Sequence, residues 1–228
     1  MRLVITVHGY LSSRMHNWPI ATYLRQMGGL EVAAFGYNSL VGSIGEHARD
    51  FAKFTDQVME EEGIGWEETG VVTHSMGGVI LARALEAHGE RMRPAKIALL
   101  APPLSGSKWA SYVSSLPGAG PQVVRGPGAE LAAMAESGTH VVFPKMEEED
   151  LMVVTGGASW TNPILTSLEG QDHDGTILNA ESLPRDLQGK EVPHTRIHVP
   201  TAGHSVLQFR PRVMESVSAF LTQRCPGV

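Results

Sequence analysis

The chain has 228 residues, of which 42% are hydrophobic and 18% are charged, and its formal net charge at pH 7 is −6. This composition predicts a globular chain with a sizeable core and excludes extensive disorder. The acidic balance, without any lysine- or arginine-rich run, argues against nucleic acid as a partner.

The sequence contains little that indicates disulfide bonds, secretion or membrane insertion. The single cysteine, Cys225, excludes a disulfide framework. The apolar part of the N-terminal stretch is too short for a signal peptide, and no apolar run reaches the length of a membrane span. We therefore expect a cytoplasmic protein without an integral membrane segment. The sequence leaves the oligomeric state undetermined.

Short apolar runs alternate with amphipathic segments along the whole chain. Predicted strands lie at 3–7, 30–35, 70–74, 96–101, 151–156 and 195–200, and predicted helices lie at 17–28, 45–63, 77–89 and 210–224. This alternation predicts an α/β fold with about six mostly parallel strands and helices on both faces. We expect one domain over residues 1–228, without a large cap. The glycine- and proline-rich segment 102–145 is expected to carry short helices that rim a site.

The segment "VVTHSMGG" (71–78) places Ser75 directly between a predicted strand and a predicted helix. A turn of this kind lifts the serine hydroxyl above the sheet, and the helix N-terminus favours negative charge there. Gly77 and Gly78 permit the close approach of strand and helix. Thr73 stands where the G-x-S-x-G pattern has glycine, so its methyl group must fit against the helix. Ser75 is predicted to be a nucleophile, the alternative being an ordinary turn serine.

A serine nucleophile needs a base, and His204 follows the last predicted strand at the carboxyl edge of the sheet. Gly203 gives its loop the freedom to present the ring. His198 lies within the strand, and His194 precedes it at the opposite edge. His204 is therefore the predicted base, and a surface loop histidine is the alternative.

The acid should lie between the nucleophile and the base in the chain order Ser, Asp, His. The segment "GQDHDGTIL" (170–178) offers Asp172 and Asp174. Asp174 is favoured because the following glycine permits a tight turn and the apolar residues after it anchor the segment. Asp172 remains the alternative.

An oxyanion site needs two backbone amides. Met76 follows the nucleophile, and the loop "HGYLSS" (8–13) after the first strand supplies Tyr10, with Leu11 next in order. His8 is expected to hold this loop by hydrogen bonds. The predicted mechanism requires neither a metal nor an organic cofactor.

A metal site is a competing interpretation. Asp172, Asp174, His194, His198 and His204 include suitable ligand types. No pair of them has the helical spacing of H-E-x-x-H, the chain has no cysteine pair, and a metal leaves "HSMGG" unexplained. We therefore favour the serine mechanism.

Several motifs together resemble known proteins. "VHGYLSS", "THSMGG", the Asp-Gly pair at 174–175 and "AGHSVL" resemble the small, lidless bacterial lipases and esterases of the α/β-hydrolase superfamily. "LLAPPLSGS" (99–107), "GPGAEL" and "VVTGGASWTNP" are similar to short lipases related to the GPI-inositol-deacylase-like branch. Two positions depart from that pattern. Thr73 replaces a glycine, and Leu104 replaces a frequent asparagine.

The resemblance implies an enzyme that hydrolyses carboxylic esters. It implies Ser75 as nucleophile, Asp174 as acid, His204 as base, and Tyr10 and Met76 as oxyanion donors. The substrate is expected to be a small ester or a lipid with a short to medium acyl chain. Candidate pocket walls, each of which could equally belong to the core, are Tyr10, Leu11, Leu104, Trp109, Trp160 and Ile177. Thioesterase, amidase, acyltransferase and non-catalytic binding functions remain alternatives.

Overall fold

The structure is a computed structural model that describes residues 1–118, 120–158, 162 and 172–223. Within these ranges, six parallel strands form a sheet in the order β2-β1-β3-β4-β5-β6. The strands are β1 Leu3–Val7, β2 Glu31–Phe35, β3 Thr69–His74, β4 Lys96–Leu100, β5 Leu151–Gly156 and β6 Thr195–Val199. The predicted α/β fold with about six strands is confirmed, and strand ends differ by at most one residue.

Burial along the strands follows their place in the sheet. Every residue of the interior strands β1, β3 and β4 is buried, whereas the edge strands β2 and β6 alternate buried with more exposed positions. Interior strands of a parallel sheet are covered on both faces, which explains their continuous apolar runs. All six carboxyl ends meet at one edge, so the loops after the strands share that edge.

Helices cover both faces of the sheet. The helices are α1 Trp18–Gly28, α2 Ile44–Glu62, α3 Met76–His88, α4 Lys108–Ser114, α5 Gly120–Val123, α6 Pro127–Ser137 and α7 Pro211–Thr222. One core contains the apolar faces of α2 and α3, and a second contains those of α1 and α7. The predicted apolar face of the last helix is buried in this second core. Its members are Val213, Val217, Phe220 and Leu221.

The irregular segment 102–145 carries three of these helices, α4 to α6, as predicted. The side chains of α4 and α6 pack together around Ala110 and Ala132. The segment is anchored to the loop after β1, because the Tyr10 hydroxyl donates to the carbonyl oxygen of Val123 at 2.8 Å and accepts from the N–H of Arg125 at 3.0 Å. These helices therefore border the carboxyl edge of the sheet without adding a large cap in the described ranges.

The β3–α3 connection is the tightest junction of the fold. A Cβ atom added at Gly77 would lie 2.8 Å from the carbonyl oxygens of Val7 and His8. One at Gly78 would lie 2.6 Å from Pro102 Cβ and 3.2 Å from Thr73 Oγ1. Because residue 78 has no side chain, the Thr73 side chain has room beside it. Threonine therefore fits at position 73, where the usual pattern has glycine.

No helix in the described part of the chain is both long and apolar enough to cross a membrane.

Replacing Thr73 with valine should raise the free energy of unfolding by about 1 kcal/mol. The Thr73 hydroxyl is fully buried and has no hydrogen-bond partner among the described residues, so valine removes an unsatisfied polar group at nearly constant shape. Urea unfolding of the wild-type chain and Thr73→Val measures the difference. A clear loss of stability in Thr73→Val would contradict this account of the junction.

Candidate active site

Ser75 has the backbone geometry expected at the turn between β3 and α3. Its φ is 53° and its ψ is −129°, in a region that non-glycine residues rarely adopt. Two main-chain hydrogen bonds hold it there: Ser75 N–H donates to Leu100 O at 2.8 Å, and Gly78 N–H donates to Ser75 O at 2.9 Å. The surrounding sheet and helix therefore impose a strained conformation on the serine.

Gly9 lies directly against this turn. A Cβ atom added at Gly9 would lie 2.7 Å from Ser75 Cβ and 3.2 Å from His74 Nδ1. Only a residue without a side chain permits the loop after β1 to approach the serine this closely. The loop that carries Tyr10 is thereby brought beside the Ser75 side chain.

His204 contacts both other members of the predicted triad. Its Nε2 lies 2.8 Å from Ser75 Oγ, and its Nδ1 lies 2.7 Å from Asp174 Oδ2. An ionised carboxylate only accepts hydrogen bonds, so Nδ1 carries the proton and Nε2 is free to accept from the serine hydroxyl. The three side chains predicted from separate parts of the sequence therefore meet in one hydrogen-bonded chain.

The backbone of His204 is held on both sides. Its N–H donates to the carbonyl oxygen of Asp174 at 2.9 Å, and its own carbonyl oxygen accepts from His74 Nε2 at 3.0 Å. Burial is the main cause of a lowered pKa at His74, and the nearby His204 ring lowers it further, to about 3. The His74 ring is therefore neutral. Because a carbonyl cannot donate, the single proton of that ring lies on Nε2.

Asp174 is buried and its carboxylate accepts three hydrogen bonds. Oδ1 accepts from the N–H groups of Ile177 at 2.8 Å and Thr176 at 3.0 Å, while Oδ2 faces His204. Burial alone would raise the pKa of this carboxyl, but His204 and the two amides outweigh it and hold the pKa below its usual range. Asp172 is exposed, and its carbonyl oxygen accepts from Asn179 N–H.

His8 fixes the loop after β1, as expected from the sequence. Its Nδ1 donates to Gly9 O at 2.9 Å, and its Nε2 accepts from Tyr37 N–H at 3.4 Å. In a trans peptide the carbonyl and the following N–H point in opposite directions, so the Tyr10 N–H points away from the His8 ring. Met76, the other predicted oxyanion donor, is the first residue of α3. Their role in binding an oxyanion stays a prediction.

A cavity of about 250 Å³ opens beside Ser75 and His204. Four predicted wall residues line it: Tyr10, Leu11, Trp109 and Ile177. Leu104 does not, because its side chain is buried in the core with α3 and α6. Trp160 lies outside the described residues. Further lining residues that the sequence did not indicate include Ser12, His16, Pro103, Ser107, Ala110, Leu131 and Thr176.

Glu181 was not predicted, and it connects two walls of the site. Its buried carboxylate accepts from the N–H of Lys108, the first residue of α4, at 2.7 Å, and from Leu178 N–H at 2.9 Å. It therefore links the helix that carries Trp109 to the loop that carries Asp174. Burial raises the pKa of Glu181 to about 7. Glu181 lies in the polar segment "NAES" (179–182), and nothing in that segment of the sequence indicates this role.

The other candidate metal ligands are dispersed. His194 Nδ1 donates to Val192 O at 2.8 Å, and His198 Nδ1 lies 3.1 Å from Thr155 Oγ1 on β5. Within the described ranges, no group of three or more histidine, cysteine, aspartate or glutamate side chains is arranged to hold a metal ion.

Solved structures similar to this chain include lipases and an arylesterase. The mature form of the lipase BlEst2 from Bacillus licheniformis is 14% identical, with a TM-score of 0.76, over 97% of this chain and 92% of that chain. A soluble variant of monoglyceride lipase from Saccharomyces cerevisiae is 12% identical, with a TM-score of 0.61, over 97% and 85%. An arylesterase is 16% identical, with a TM-score of 0.62, over 97% and 73%.

No protein-family model and no curated protein sequence matches the chain. Because the sequence identities are low, the structural likeness establishes the fold alone. The chain has the α/β-hydrolase fold. The narrower resemblance to the GPI-inositol-deacylase-like branch stays a prediction.

Ser75→Gly should be more stable than Ser75→Ala by about 1 kcal/mol. Both variants lose the hydroxyl and its contact with His204, but only glycine adopts the positive φ of residue 75 without strain. Urea unfolding of the two variants isolates the backbone cost. Equal stabilities would show that the turn at Ser75 is not strained.

The stability of the wild-type chain relative to Glu181→Gln should fall as pH rises from about 4.5 to about 7, by up to ~3 kcal/mol. Burial raises the pKa of Glu181 from 4.5 to about 7, so between these values the folded state holds the proton more tightly than the unfolded chain. Urea unfolding of both proteins at the two ends of this range measures the change. A difference that instead grows in favour of the wild type would contradict the assignment.

Proposed function

We propose that this chain is a serine hydrolase that cleaves carboxylic esters through an acyl-enzyme on Ser75. The observation that carries the proposal is the hydrogen-bonded chain from Ser75 Oγ through His204 to Asp174, with distances of 2.8 and 2.7 Å. The lipases and the arylesterase among the structural neighbours support ester bonds as the target.

In the proposed first step, Ser75 Oγ attacks the ester carbonyl carbon while His204 Nε2 takes the hydroxyl proton. Asp174 holds the Nδ1 proton and stabilises the imidazolium that forms. The ester C–O bond then breaks, and His204 returns the proton to the leaving alcohol. Water, activated by His204 in the same way, attacks the acyl-enzyme and releases the acid and free Ser75.

The tetrahedral oxyanion is proposed to accept hydrogen bonds from the N–H groups of Tyr10 and Met76. Three features support these donors: Gly9 brings its loop against Ser75, His8 fixes the Gly9 carbonyl, and Met76 begins α3. A helix N-terminus adds a favourable potential for developing negative charge. This mechanism needs no metal or organic cofactor.

The cavity supports a small acyl group. Its volume of about 250 Å³ lies below the common range for drug-sized ligands, and Trp109, Ile177 and Leu131 contribute apolar walls. We therefore assign short- to medium-chain esters as substrates. Thioesters, amides and transfer to an alcohol acceptor use the same triad, and rates on matched thioester and amide substrates separate them from ester hydrolysis.

Ser75→Ala should lower kcat on p-nitrophenyl butyrate by roughly four to six orders of magnitude, because the nucleophile is lost. Asp174→Asn should lower it by roughly three to four orders, because the His204 tautomer is no longer fixed. Asp172→Asn is the matched control: two residues away and exposed, it should retain kcat within about twofold.

Steady-state kinetics over a series of p-nitrophenyl esters of increasing acyl length, with these three variants, test the proposal. Binding of a fluorescent fluorophosphonate to the wild type, but not to Ser75→Ala, checks that the serine itself reacts. Full activity in Ser75→Ala would overturn the proposed function. A larger loss in Asp172→Asn than in Asp174→Asn would reassign the acid.

A further inference from the structure

Large apolar side chains are exposed in the loop after β1. Leu11, Met15 and Trp18 are 56%, 67% and 59% exposed, although the cores of this protein bury most of its large apolar residues. Exposed apolar groups are common singly, but a contiguous group of them marks an interaction surface. These three lie within eight residues of each other at the carboxyl edge of the sheet.

The loop after β6 extends this surface. His16 Nε2 lies 3.1 Å from Ser205 O, and the rings of His16 and Phe209 meet at 5.0 Å, so the two loops are packed side by side. Val206, in the second loop, is also exposed. We name this surface the apolar rim; its members, which line one shallow groove, are Leu11, Met15, Trp18 and Phe209.

Leu11 has an unusual backbone for an exposed leucine. Its φ is 52°, in the left-handed region that glycine and asparagine tolerate better. Because its side chain is mostly exposed, packing within this chain offsets little of that cost. The turn at Leu11 therefore presents an apolar side chain to the outside of the molecule.

The apolar rim is continuous with the candidate active site. A shallow groove along it is lined by Met15, Trp18, Pro19 and Phe209, and it shares Leu11, Ser12 and His16 with the cavity at Ser75. The groove and the cavity at Ser75 therefore share one wall. The groove is too open to enclose a small ligand, which favours an extended apolar partner.

Charged residues lie at both ends of the strands, and the amino ends carry exposed cations such as Arg2, Arg93 and Arg196 as well as acidic runs. Three exposed arginines adjoin the apolar rim in the chain: Arg14 precedes Met15, and Arg210 and Arg212 follow Phe209. Arg14 and Arg212 form no ion pair with any described residue. Acidic runs lie toward the opposite end of the strands, at the end of α2 and before β3 and β5: Glu60–Glu62, Glu67–Glu68 and Glu147–Asp150.

From these observations we infer that the apolar rim docks on the surface of an anionic phospholipid bilayer. Apolar side chains at the rim enter the headgroup boundary, and the neighbouring arginines attract the anionic surface. Delivery of a lipid ester to Ser75 rests on the proposed function, whereas docking itself does not.

Vesicle binding tests the docking, with Ser75→Ala as the parent so that no lipid is consumed. The parent should co-sediment with vesicles of phosphatidylcholine and phosphatidylglycerol, and more weakly with phosphatidylcholine alone. Met15→Ser combined with Trp18→Ser should lower the partition coefficient at least about tenfold. The control Met27→Ser, with a side chain 70% exposed at the other end of α1, should leave it unchanged.

A charge pair of variants tests the electrostatic part. Arg14→Gln should lower binding to the anionic vesicles about fivefold. The control Lys53→Gln removes the same charge from α2, where the side chain is 78% exposed and does not line the groove at the rim, and should have little effect. The effect of Arg14→Gln should disappear on phosphatidylcholine alone and at high salt.

The outcomes separate docking from catalysis. In the chain with Ser75 intact, the Met15→Ser and Trp18→Ser changes should leave kcat/KM on soluble p-nitrophenyl butyrate within about twofold, because neither residue lines the cavity. Vesicle binding without any esterase activity would reject the proposed function and retain docking. Unchanged vesicle binding in the rim variant would overturn the docking inference. So would a parent chain that is a dimer in the absence of lipid when the rim variant is a monomer, because the rim would then be a dimer interface.

Discussion

The strained backbone at Ser75 is the constraint around which the site is built. Strand β3 ends and helix α3 begins within one residue, so the serine adopts a φ of 53° and presents its side chain at the carboxyl edge. That geometry requires small neighbours, which Gly9, Gly77 and Gly78 supply. Thr73, which departs from the usual pattern, fits because the glycine at position 78 faces its side chain.

The parallel sheet converts this local turn into a site assembled from distant segments. Ser75, Asp174 and His204 follow three different strands, and the common carboxyl edge brings their loops together. Main-chain contacts then fix the register: His204 bonds to Asp174 through its N–H and to His74 through its carbonyl. Because these contacts are buried, they hold the three side chains in fixed positions.

The sequence predicted most of the fold, because interior strands are continuous apolar runs and the helices show clear amphipathic faces. Ser75 and His204 were indicated by local position: one between strand and helix, the other after the last strand. The choice between Asp174 and Asp172 depends on which carboxylate reaches His204, and that contact spans 30 residues. The role of Glu181 and the burial of Leu104 depend on long-range packing that leaves no pattern in the sequence.

The central claim is that Ser75 becomes covalently acylated during turnover. Rapid acid quenching of the wild-type chain with p-nitrophenyl butyrate, followed by peptide mass spectrometry, tests it most directly. The account predicts a butyryl group on the peptide that contains Ser75, present during turnover and absent after the substrate is consumed. An active chain in which Ser75 stays unmodified, or in which another side chain carries the acyl group, would contradict it.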